Sequence, residues 1–361
     1  MKTSNALLFS VFVSLLLGCI CLVAVDALRA LNQPLVVEAT NDTVAKKQTE
    51  QSFMVEEGDS LGAIAKRLHQ QQRLNYARDA RYLSWVGRLS GYAGDIHIGE
   101  YDLNKHNSPW ALLQAMVNGD VTQYSFTIIE GWNIYQVLEA LARNNKVTHS
   151  KPPLTTKKLA EILGLENQTA EGWLLPDTYL FPAAVSDVSI LKRAHNAMKR
   201  TLENAWANKA GGVPYKSAYE ALIMASIIEK ETAVPAEREA IAGVFVRRLQ
   251  KGMLLQTDPT VIYGIGRGFD GNIRRKDLRT DTPYNTYTRT GLPPTPIAMP
   301  GKASIEAALN PAEGESLYFV SRGDGTHVFS KTLKEHNAAV DRFQRNKAPK
   351  KDDPAAKQDK K

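Results

Sequence analysis

The sequence predicts an α+β protein with an N-terminal transmembrane helix, and three observations favour this class. Short segments with strand character, such as Leu317 to Val320 and Val328 to Ser330, mix irregularly with helical segments. No strand opens into the Gly-x-Gly-x-x-Gly loop of a doubly wound sheet, and no internal repeat is present. The 361 residues, 43% of them hydrophobic, are enough for a sizeable core and for two or three domains.

The first predicted element is an uncharged stretch of twenty residues, Ala6 to Val25. At about 1.5 Å per residue it is long enough to cross a hydrocarbon core of roughly 30 Å. A cleaved signal peptide would show a shorter apolar region and a small-residue cut site. A lipoprotein signal would turn polar after Cys19, whereas this sequence continues with Ile20 and Leu22. We therefore predict an uncleaved anchor over residues 6–26, preceded by a short segment at 1–5.

Charge and cysteine content exclude several classes of protein. The formal net charge is +7, and six lysines lie within residues 346–361, a polar tail without aromatics that we predict to be disordered. Elsewhere the one basic group, at 267–279, is not surrounded by an aromatic stacking pattern, so no nucleic-acid partner is expected. Cys19 and Cys21 both lie within the predicted anchor, which leaves the body without a thiolate nucleophile or a Cys-ligated metal site.

A small subdomain is predicted over residues 52–123, after a polar linker at 27–51. It begins with a strand at Phe53, a turn, and a helix that Asp59 or Ser60 can cap. The apolar face of this helix consists of Leu61, Ile64, Ala65 and Leu68. A second helix (Tyr82 to Leu89), a strand (Gly99 to Leu103) and a third helix (Pro109 to Val117) follow. The opening is similar to a LysM-like unit, a fold that grips glycan chains in other proteins. A purely structural or positioning subdomain would show the same pattern.

A larger mixed α/β domain is predicted over residues 124–345. Its predicted elements include a strand at Tyr124 to Ile129 and helices at Ile134 to Leu141 and Ile190 to Trp206. A third helix is predicted around the apolar run from Ala221 to Ile228. The last run has one hydroxyl and no charge, so we expect a helix that is buried on most sides.

Two glutamates, Glu229 and Glu231, end this apolar helix. A desolvated carboxyl group can stay protonated near neutral pH, as a general acid requires. Helical geometry separates the two by roughly 200° around the axis, so we expect only one to enter a cleft. Spacing alone does not identify which one. A helix end whose two glutamates meet solvent and a nearby Lys or Arg is the structural alternative.

An ordered series of short motifs surrounds these glutamates: Glu171-Gly-x-x-x-Pro-Asp-Thr-Tyr179, Glu229-Lys-Glu-Thr232, Gln256-Thr-Asp-Pro259, Tyr284-Asn-Thr-Tyr287, Leu292-Pro-Pro294, Asn310-Pro311, Gly325-Thr-His327 and His336-Asn337. In this order the set resembles the YceG-like family of endolytic murein transglycosylases, from roughly Phe53 to Phe343. The resemblance implies that Glu231, the second glutamate of Glu-x-Glu-Thr, is the catalytic acid. It also implies a lyase that needs no cofactor.

The implied reaction differs from ordinary glycoside hydrolysis, which uses two carboxylates. In lytic transglycosylases a single glutamate protonates the bond between MurNAc and GlcNAc and then accepts a proton from the C6 hydroxyl, which attacks C1. The product is a 1,6-anhydro-MurNAc end. Asp177 and Asp258 could serve as second carboxylates, but their Pro-Asp and Asp-Pro contexts favour turns or caps.

The resemblance also implies a location and partners. It implies a single-pass protein of the cell inner membrane that cuts nascent peptidoglycan strands and so ends their elongation. Residues 1–5 would be cytoplasmic and the catalytic domain periplasmic, beside the peptidoglycan synthases. Lys2 and Arg29, on either side of the span, give little independent indication of orientation.

Substrate contacts are expected where charge builds up at C1 and the ring oxygen, since that charge needs nearby dipoles. The side chains that we predict around Glu231 are Gln256, Tyr284, Asn285 and Tyr287. Each could equally be a hydrogen-bonded core group. Trp173 and Tyr179 could be sugar-stacking platforms in a cleft wall, or core aromatics.

Other chemistries find less support in the sequence. His327 and His336 lack zinc-site spacing, so no metal is predicted. Ser226 lacks a nucleophile elbow. The remaining alternatives are a non-catalytic glycan-binding scaffold that recruits wall-synthesis enzymes, and a true hydrolase that leaves reducing ends. The ends left on digested peptidoglycan distinguish all three.

Overall fold

The computed structural model describes residues 2–36, 51–165 and 169–345. Most of the predicted linker (37–50) and the predicted basic tail (346–361) therefore lie outside the described residues. The chain divides into two compact units. Unit 1 comprises Met1–Tyr124 with Leu180–Val185, and unit 2 comprises Ser125–Tyr179 with Ser186–Lys361.

Unit 1 begins with the apolar helix that the sequence predicts. The described elements to residue 118 are α1 (Lys2–Asn32), β1 (Ser52–Val55), α2 (Leu61–Gln70), α3 (Ala77–Leu89), β2 (Gly99–Asp102) and α4 (Pro109–Asn118). Within α1, Phe9–Asn32 is long and apolar enough to span a membrane, with a mean hydropathy of 2.6. The helix continues to Asn32 because Ala27, Ala30 and Leu31 are buried. The first six residues of the predicted linker are therefore helical.

The core of unit 1 forms as the sequence pattern predicts. Strands β1 and β2 pair antiparallel, with Phe53 opposite Tyr101. All four predicted residues of the α2 face are buried. Of the two predicted caps, Ser60 is the one used: its hydroxyl accepts a hydrogen bond from the backbone N–H of Ala63 at 3.2 Å. These contacts form a small hydrophobic core of sheet and helices.

The remaining elements confirm a mixed helix-and-sheet protein. In chain order they are β3 (Gln123–Thr127), α5 (Ile134–Ala142), β4 (Val147–Thr148), α6 (Thr156–Ile162), β5 (Thr178–Pro182), β6 (Val185–Ser186), α7 (Asp187–Ala207), α8 (Ala218–Glu231), α9 (Arg238–Gln250), α10 (Asp258–Ile265), α11 (Arg275–Arg279), α12 (Lys302–Leu309), β7 (Tyr318–Ser321), β8 (His327–Ser330) and α13 (Leu333–Val340). Among the described residues the strands form two-stranded sheets, in the pairs β1–β2, β3–β5, β4–β6 and β7–β8.

Helix α8 is the centre of unit 2. Every residue from Ala221 to Ile228 is buried, as its uncharged sequence predicts. The single hydroxyl in this run, that of Ser226, donates to the Ile223 carbonyl at 2.7 Å and accepts the Ile297 backbone N–H at 3.0 Å. Helix α12 packs along α8, and a Cβ on Gly301, just before α12, would overlap the Glu130 carboxylate. Close packing around α8 thus fixes the position of its last turn.

Candidate active site

A cavity of about 510 Å³ opens in unit 2 at the end of α8, a volume within the usual range for small-molecule sites. The segment before α10, the β7–β8 hairpin and α13 form its walls. Its lining residues are Glu231, Arg248, Leu255, Gln256, Asp258, Tyr287, Tyr318, Phe319, Val320, Ser321, His327, Leu333, His336, Val340 and Gln344. Acidic, amide, phenolic and imidazole side chains therefore converge on one concave surface.

Glu231 is the last residue of α8 and lines this cavity. The chain turns into an extended conformation at Thr232, which is buried. The hydroxyl of Thr257 donates a hydrogen bond to Oε1 of Glu231. Thr257 is itself fixed, because its backbone N–H donates to the Thr286 hydroxyl at 3.1 Å. The carboxyl group is thus held at the cavity by a buried neighbour.

The surroundings of Glu231 favour its protonated form. Burial raises the pKa of this carboxyl group from 4.5 to about 6, and the negative charge of Asp258 adds to the rise. The hydrogen bond from Thr257 and the charge of His327 oppose it. A carboxyl group with a pKa of about 6 holds a substantial proton population near neutral pH, which suits a general acid.

Glu229 has a different environment, as the predicted 200° separation requires. Its Oε2 accepts the Gly301 backbone N–H at 2.9 Å and the Ser304 hydroxyl at 2.7 Å. Gly301 immediately precedes α12, so the carboxylate caps the positive end of that helix. Glu229 therefore holds α12 against α8, and Glu231 is the glutamate that lines the cavity.

Gln256 and Tyr287, two of the side chains predicted to surround Glu231, line the cavity with it. Gln256 is exposed and has a left-handed backbone conformation (φ 52°), which is uncommon outside glycine and clusters at functional sites. Its Oε1 accepts a hydrogen bond from Nη1 of Arg248 at 3.4 Å. The Tyr287 hydroxyl donates to Oδ1 of Asp258 at 2.5 Å.

The structure places Tyr284 and Asn285 elsewhere than at the cavity. Asn285 is 1% exposed, and its Nδ2 donates to three carbonyl groups, those of Asp277, Leu278 and Thr280. Its Oδ1 accepts the Tyr287 backbone N–H at 2.8 Å, so Asn285 fixes the loop that carries Tyr287. The Tyr284 ring packs 5.0 Å from that of Tyr263, and its hydroxyl lies 2.9 Å from the Thr295 hydroxyl.

Trp173 and Tyr179 also lie away from the cavity lining. The Trp173 ring stacks on Tyr219 with centroids 5.9 Å apart and meets His195 edge-on at 5.6 Å. Tyr179 is buried, and its hydroxyl donates to the Leu175 carbonyl at 2.6 Å. The structure therefore places the Trp173 ring in aromatic packing and the Tyr179 ring in the protein interior, which was the alternative to sugar platforms.

A histidine–carboxylate pair in the cavity wall is not evident from sequence spacing. The Glu237 carboxylate accepts the His327 backbone N–H at 2.9 Å, and its other oxygen lies 2.7 Å from Nδ1 of His327. The two residues are 90 positions apart in sequence, so no local spacing connects them. The Gly-Thr-His motif that contains His327 is the signal in the sequence that points to this residue. Bonding at Nδ1 orients the ring and leaves Nε2 as its other polar atom.

Arg248 joins two walls of the cavity. Its buried guanidinium donates to the carbonyl groups of Leu255 at 2.9 Å and Leu317 at 2.7 Å, and it lies 5.0 Å from the centre of the Tyr318 ring. The segment that carries Gln256 and the strand β7 are thereby tied to α9. Arg248 is thus a positioning residue for the cavity.

A second carboxyl group with a raised pKa lies in unit 2 but outside the cavity lining. Burial raises the pKa of Glu171 to about 7. Both of its oxygens accept the Ile134 backbone N–H at 3.1 Å, and the Tyr263 hydroxyl donates to Oε2 at 3.0 Å. Glu171 therefore caps α5 and anchors α10, which is a structural role.

Comparisons with known proteins agree with the motifs. The model of the YceG-like family matches residues 53–342. An endolytic murein transglycosylase of Bacillus subtilis is 34% identical over 321 residues, which is 82% of this chain and 85% of the relative. One from Streptococcus pneumoniae D39 is 25% identical over 79% of this chain and 57% of the relative.

A solved structure is similar as well. The crystal structure of a yceG-like protein from Listeria monocytogenes matches with a TM-score of 0.51 and 30% identity, over 80% of this chain and 98% of that one. The family model covers all of the ordered motifs, which lie between Glu171 and Asn337. The chain belongs to the YceG-like family.

Proposed function

We propose that this protein is a membrane-anchored endolytic lytic transglycosylase. It cleaves the bond between MurNAc and GlcNAc in nascent peptidoglycan strands, leaves 1,6-anhydro-MurNAc ends and so terminates strand elongation. The observation that carries this proposal is Glu231 at the end of a buried helix, in a cavity, with a pKa of about 6. The murein transglycosylase names of the relatives support the same reaction class.

The chemistry needs one carboxyl group in two roles. Protonated Glu231 donates its proton to the glycosidic oxygen as the bond from that oxygen to C1 breaks, and GlcNAc leaves with a free 4-hydroxyl. The resulting carboxylate takes the proton of the C6 hydroxyl, whose oxygen bonds to C1. Glu231 is reprotonated and no water is consumed. We assign the transferred proton to Oε2, because Oε1 accepts the Thr257 hydroxyl.

Among the residues predicted to contact the sugar, Gln256 and Tyr287 have the best support, since both line the cavity. Their amide and phenolic dipoles can face the charge that develops at C1 and the ring oxygen. Asn285 acts through Tyr287, whose loop it holds. Tyr284, Trp173 and Tyr179 shape the surrounding packing.

The product distinguishes this proposal from its alternatives. Purified full-length protein should release from peptidoglycan sacculi fragments whose MurNAc ends are lighter by one water than hydrolytic ends, as measured by mass spectrometry. No release of fragments would favour a glycan-binding scaffold.

A true hydrolase is the second candidate, because Asp258 lines the same cavity as Glu231. In inverting glycosidases a second carboxylate activates water from the other face of the sugar. Here Asp258 is engaged by the Tyr287 hydroxyl. Reducing ends in the product would favour this candidate over the transglycosylase.

The pH dependence of kcat/KM should report the proton on Glu231. Because the acid must be protonated before the bond breaks, and its pKa is about 6, kcat/KM should fall by about tenfold per pH unit above that value. The measurement is the initial rate on soluble glycan strands between pH 4.5 and 8.5. A falling limb centred at an ordinary glutamate pKa near 4.5 would contradict it.

Glu237→Gln should reduce kcat with little change in KM, since Glu237 orients His327 and is not itself among the residues that line the cavity. His327 opposes the rise in the pKa of Glu231, so loosening the ring should also shift the falling limb of the pH profile upward. The readouts are kcat, KM and the pH profile of the variant. A uniform loss of activity with an unshifted profile would indicate a merely structural pair.

We further propose that α1 is an uncleaved single-pass anchor in the inner membrane, with the body in the periplasm beside the synthases. The apolar composition of Phe9–Asn32 supports the anchor. Intact-mass analysis of native protein should find residues 1–25 retained. Cleavage near Asp26 or a lipid on Cys19 would contradict it.

We propose that the elements from β1 to α4 form a LysM-like unit that helps to position the enzyme on glycan. A strand, two helices, a strand and a helix around one small core support this proposal. Deleting residues 53–121 should reduce activity on intact sacculi more than activity on short soluble glycans. Equal losses on both substrates would indicate a structural support instead.

A further inference from the structure

Helix α3 packs beside the base of α1, and their contacts define the direction in which it runs. The Tyr82 hydroxyl donates to Oδ2 of Asp26 at 3.0 Å, and Nε of Arg78 lies 3.6 Å from the same atom. Just before α3, Nδ2 of Asn75 donates to Oε1 of Gln33 at 3.4 Å. Seven residues separate Asn75 from Tyr82, and seven separate Asp26 from Gln33. The two segments therefore run antiparallel, and equal numbers of residues along each connect the two contacting pairs.

This direction carries the C-terminal end of α3 back toward the apolar part of α1. With a rise of about 1.5 Å per residue, Leu89 lies about 10 Å beyond Tyr82 along the axis of α3. That displacement leads past Asp26 to the side on which the uncharged segment ends at Val25. If the span ends at Asp26, as the predicted anchor over residues 6–26 has it, the last two turns of α3 lie at the level of the membrane interface.

The exposed face of these turns has the composition of an interfacial helix. Leu89 is 89% exposed and Trp85 is 56% exposed, whereas Leu83 and Gly87 face the core. Tryptophan is enriched at membrane interfaces, where its ring is buried and its N–H meets the headgroups. Trp85 and Leu89 are four residues apart, so their side chains are neighbours and form one exposed apolar patch on α3.

The charges on α3 fit an anionic lipid surface. Its three arginines, Arg78, Arg81 and Arg88, are all exposed, while its one acidic residue, Asp79, is buried and accepts the Tyr76 backbone N–H at 3.1 Å. The exposed acid nearest in sequence is Asp95, beyond the helix. Basic side chains beside a membrane span are attracted electrostatically to anionic headgroups.

We propose that the face of α3 formed by Arg81, Trp85, Arg88 and Leu89 docks on the anionic bilayer surface beside the anchor. The inference rests on the anchor proposed above. Trp85 and Leu89 enter the headgroup region, and the two guanidinium groups bind lipid phosphates. Unit 1 is thereby fixed to the membrane at two places, α1 and α3, and cannot swing freely about α1.

The absence of cysteine from residues 22–361 allows a direct test with the full-length chain. Cys19 and Cys21 are changed to serine, and a nitroxide is attached at Leu89→Cys or, as a matched control, at Gln71→Cys. Gln71 is exposed and lies before the Arg73–Val36 contact, on the far side of Gln33 from the span. Both proteins are reconstituted in vesicles of phosphatidylethanolamine and phosphatidylglycerol.

The expected result is a loss of contact between the label at position 89 and a water-soluble nickel chelate, with a gain in contact with oxygen, while the label at 71 stays open to the chelate. Equal access to the chelate at both positions would overturn the docking inference. A third label, at Leu15→Cys, reports on the anchor itself. If the label at 15 is shielded and that at 89 is not, only the docking fails; if 15 is open to water, the anchor and the docking both fail.

A label-free measurement guards against a perturbing nitroxide. In vesicles with brominated acyl chains, tryptophan fluorescence of the unmodified chain should be quenched more than that of Trp85→Phe. The vesicles contain no other protein, so quenching at Trp85 identifies lipid as the occupant. Equal quenching in both proteins, together with an open label at 89, would overturn the docking inference.

Discussion

Glu231→Gln is expected to eliminate cleavage of peptidoglycan while the protein remains folded. Glutamine keeps the shape of the side chain and an oxygen that can accept the Thr257 hydroxyl, but it carries no proton to give to the glycosidic oxygen. Loss of general acid–base catalysis typically costs about 10²- to 10⁴-fold in rate. The measurement is the release of anhydro-ended fragments from sacculi by the purified full-length variant. Full activity in this variant would exclude Glu231 as the acid.

The same substitution should stabilise the protein at alkaline pH. The folded-state pKa of Glu231, about 6, exceeds the unfolded value of 4.5, so stability that is present below pH 4.5 is lost as pH rises through 6. A shift of this size corresponds to about 2 kcal/mol. Because glutamine does not titrate, the variant should exceed the wild type by roughly that amount at pH 8 and by little at pH 4. Urea denaturation at both values checks the sign.

Glu229→Gln is the matched control, two residues away on the same helix. Glu229 accepts hydrogen bonds from Gly301 and Ser304 and faces away from the cavity. Loss of its charge at the start of α12 should lower the free energy of unfolding by about 1 kcal/mol, the usual magnitude for a helix cap. Its kcat should stay close to that of the wild type. A loss of activity like that of Glu231→Gln would assign the acid to the wrong glutamate.

Glu171→Ala is expected to give a large loss of stability. The substitution removes the acceptor of the Ile134 N–H at the start of α5 and leaves the Tyr263 hydroxyl without its partner. A lost cap and an unsatisfied buried hydroxyl cost about 1 and 1–3 kcal/mol, and the space left by the carboxyl group adds to this. We expect a decrease of about 3 kcal/mol in the free energy of unfolding at pH 5, by urea denaturation.

Two further variants serve as controls for the prediction on Glu171→Ala. Glu161→Ala removes an exposed glutamate of α6 that pairs with Lys158, and it should change stability by less than about 0.5 kcal/mol. Glu171→Gln keeps an acceptor oxygen for Ile134 but does not titrate. The pKa of Glu171, about 7, means that the wild type loses stability between pH 4.5 and 7, and Glu171→Gln should flatten this loss. An unchanged pH profile would contradict the assigned burial.

The sequence pattern predicted the helices and strands of both units well. The alternation and caps at Phe53 to Leu68 gave β1, α2 and the buried face of α2, because a strand and an amphipathic helix depend mainly on local periodicity. The uncharged run at Ala221 to Ile228 gave the buried helix α8 for the same reason. The end of α1 was less well predicted. Residues 27–32 are helical because they pack against the rest of unit 1, a long-range effect.

No local sequence pattern reveals which polar residues of the site line the cavity and which fix its loops. Gln256, Asn285 and Tyr287 all belong to motifs of the same kind, yet Gln256 and Tyr287 line the cavity and Asn285 holds a loop from beneath. A polar side chain in a loop can point inward or outward with the same neighbours in sequence. Its direction depends on which distant carbonyl groups and hydroxyls are brought within hydrogen-bond range.

The sequence by itself determined the family, the apolar N-terminal helix, the buried helix α8 and the opposed directions of Glu229 and Glu231. These follow from motif order, hydrophobic runs and the helical repeat, which are local properties of the chain. Only the tertiary structure decided which glutamate lines a cavity, since Gly301 and Ser304 meet Glu229 from more than seventy residues away. The tertiary structure alone also brought His327 within hydrogen-bond distance of Glu237 and placed α3 beside α1. The burial of a carboxyl group and the charge around it depend on residues distant in sequence, which come together only when the chain folds.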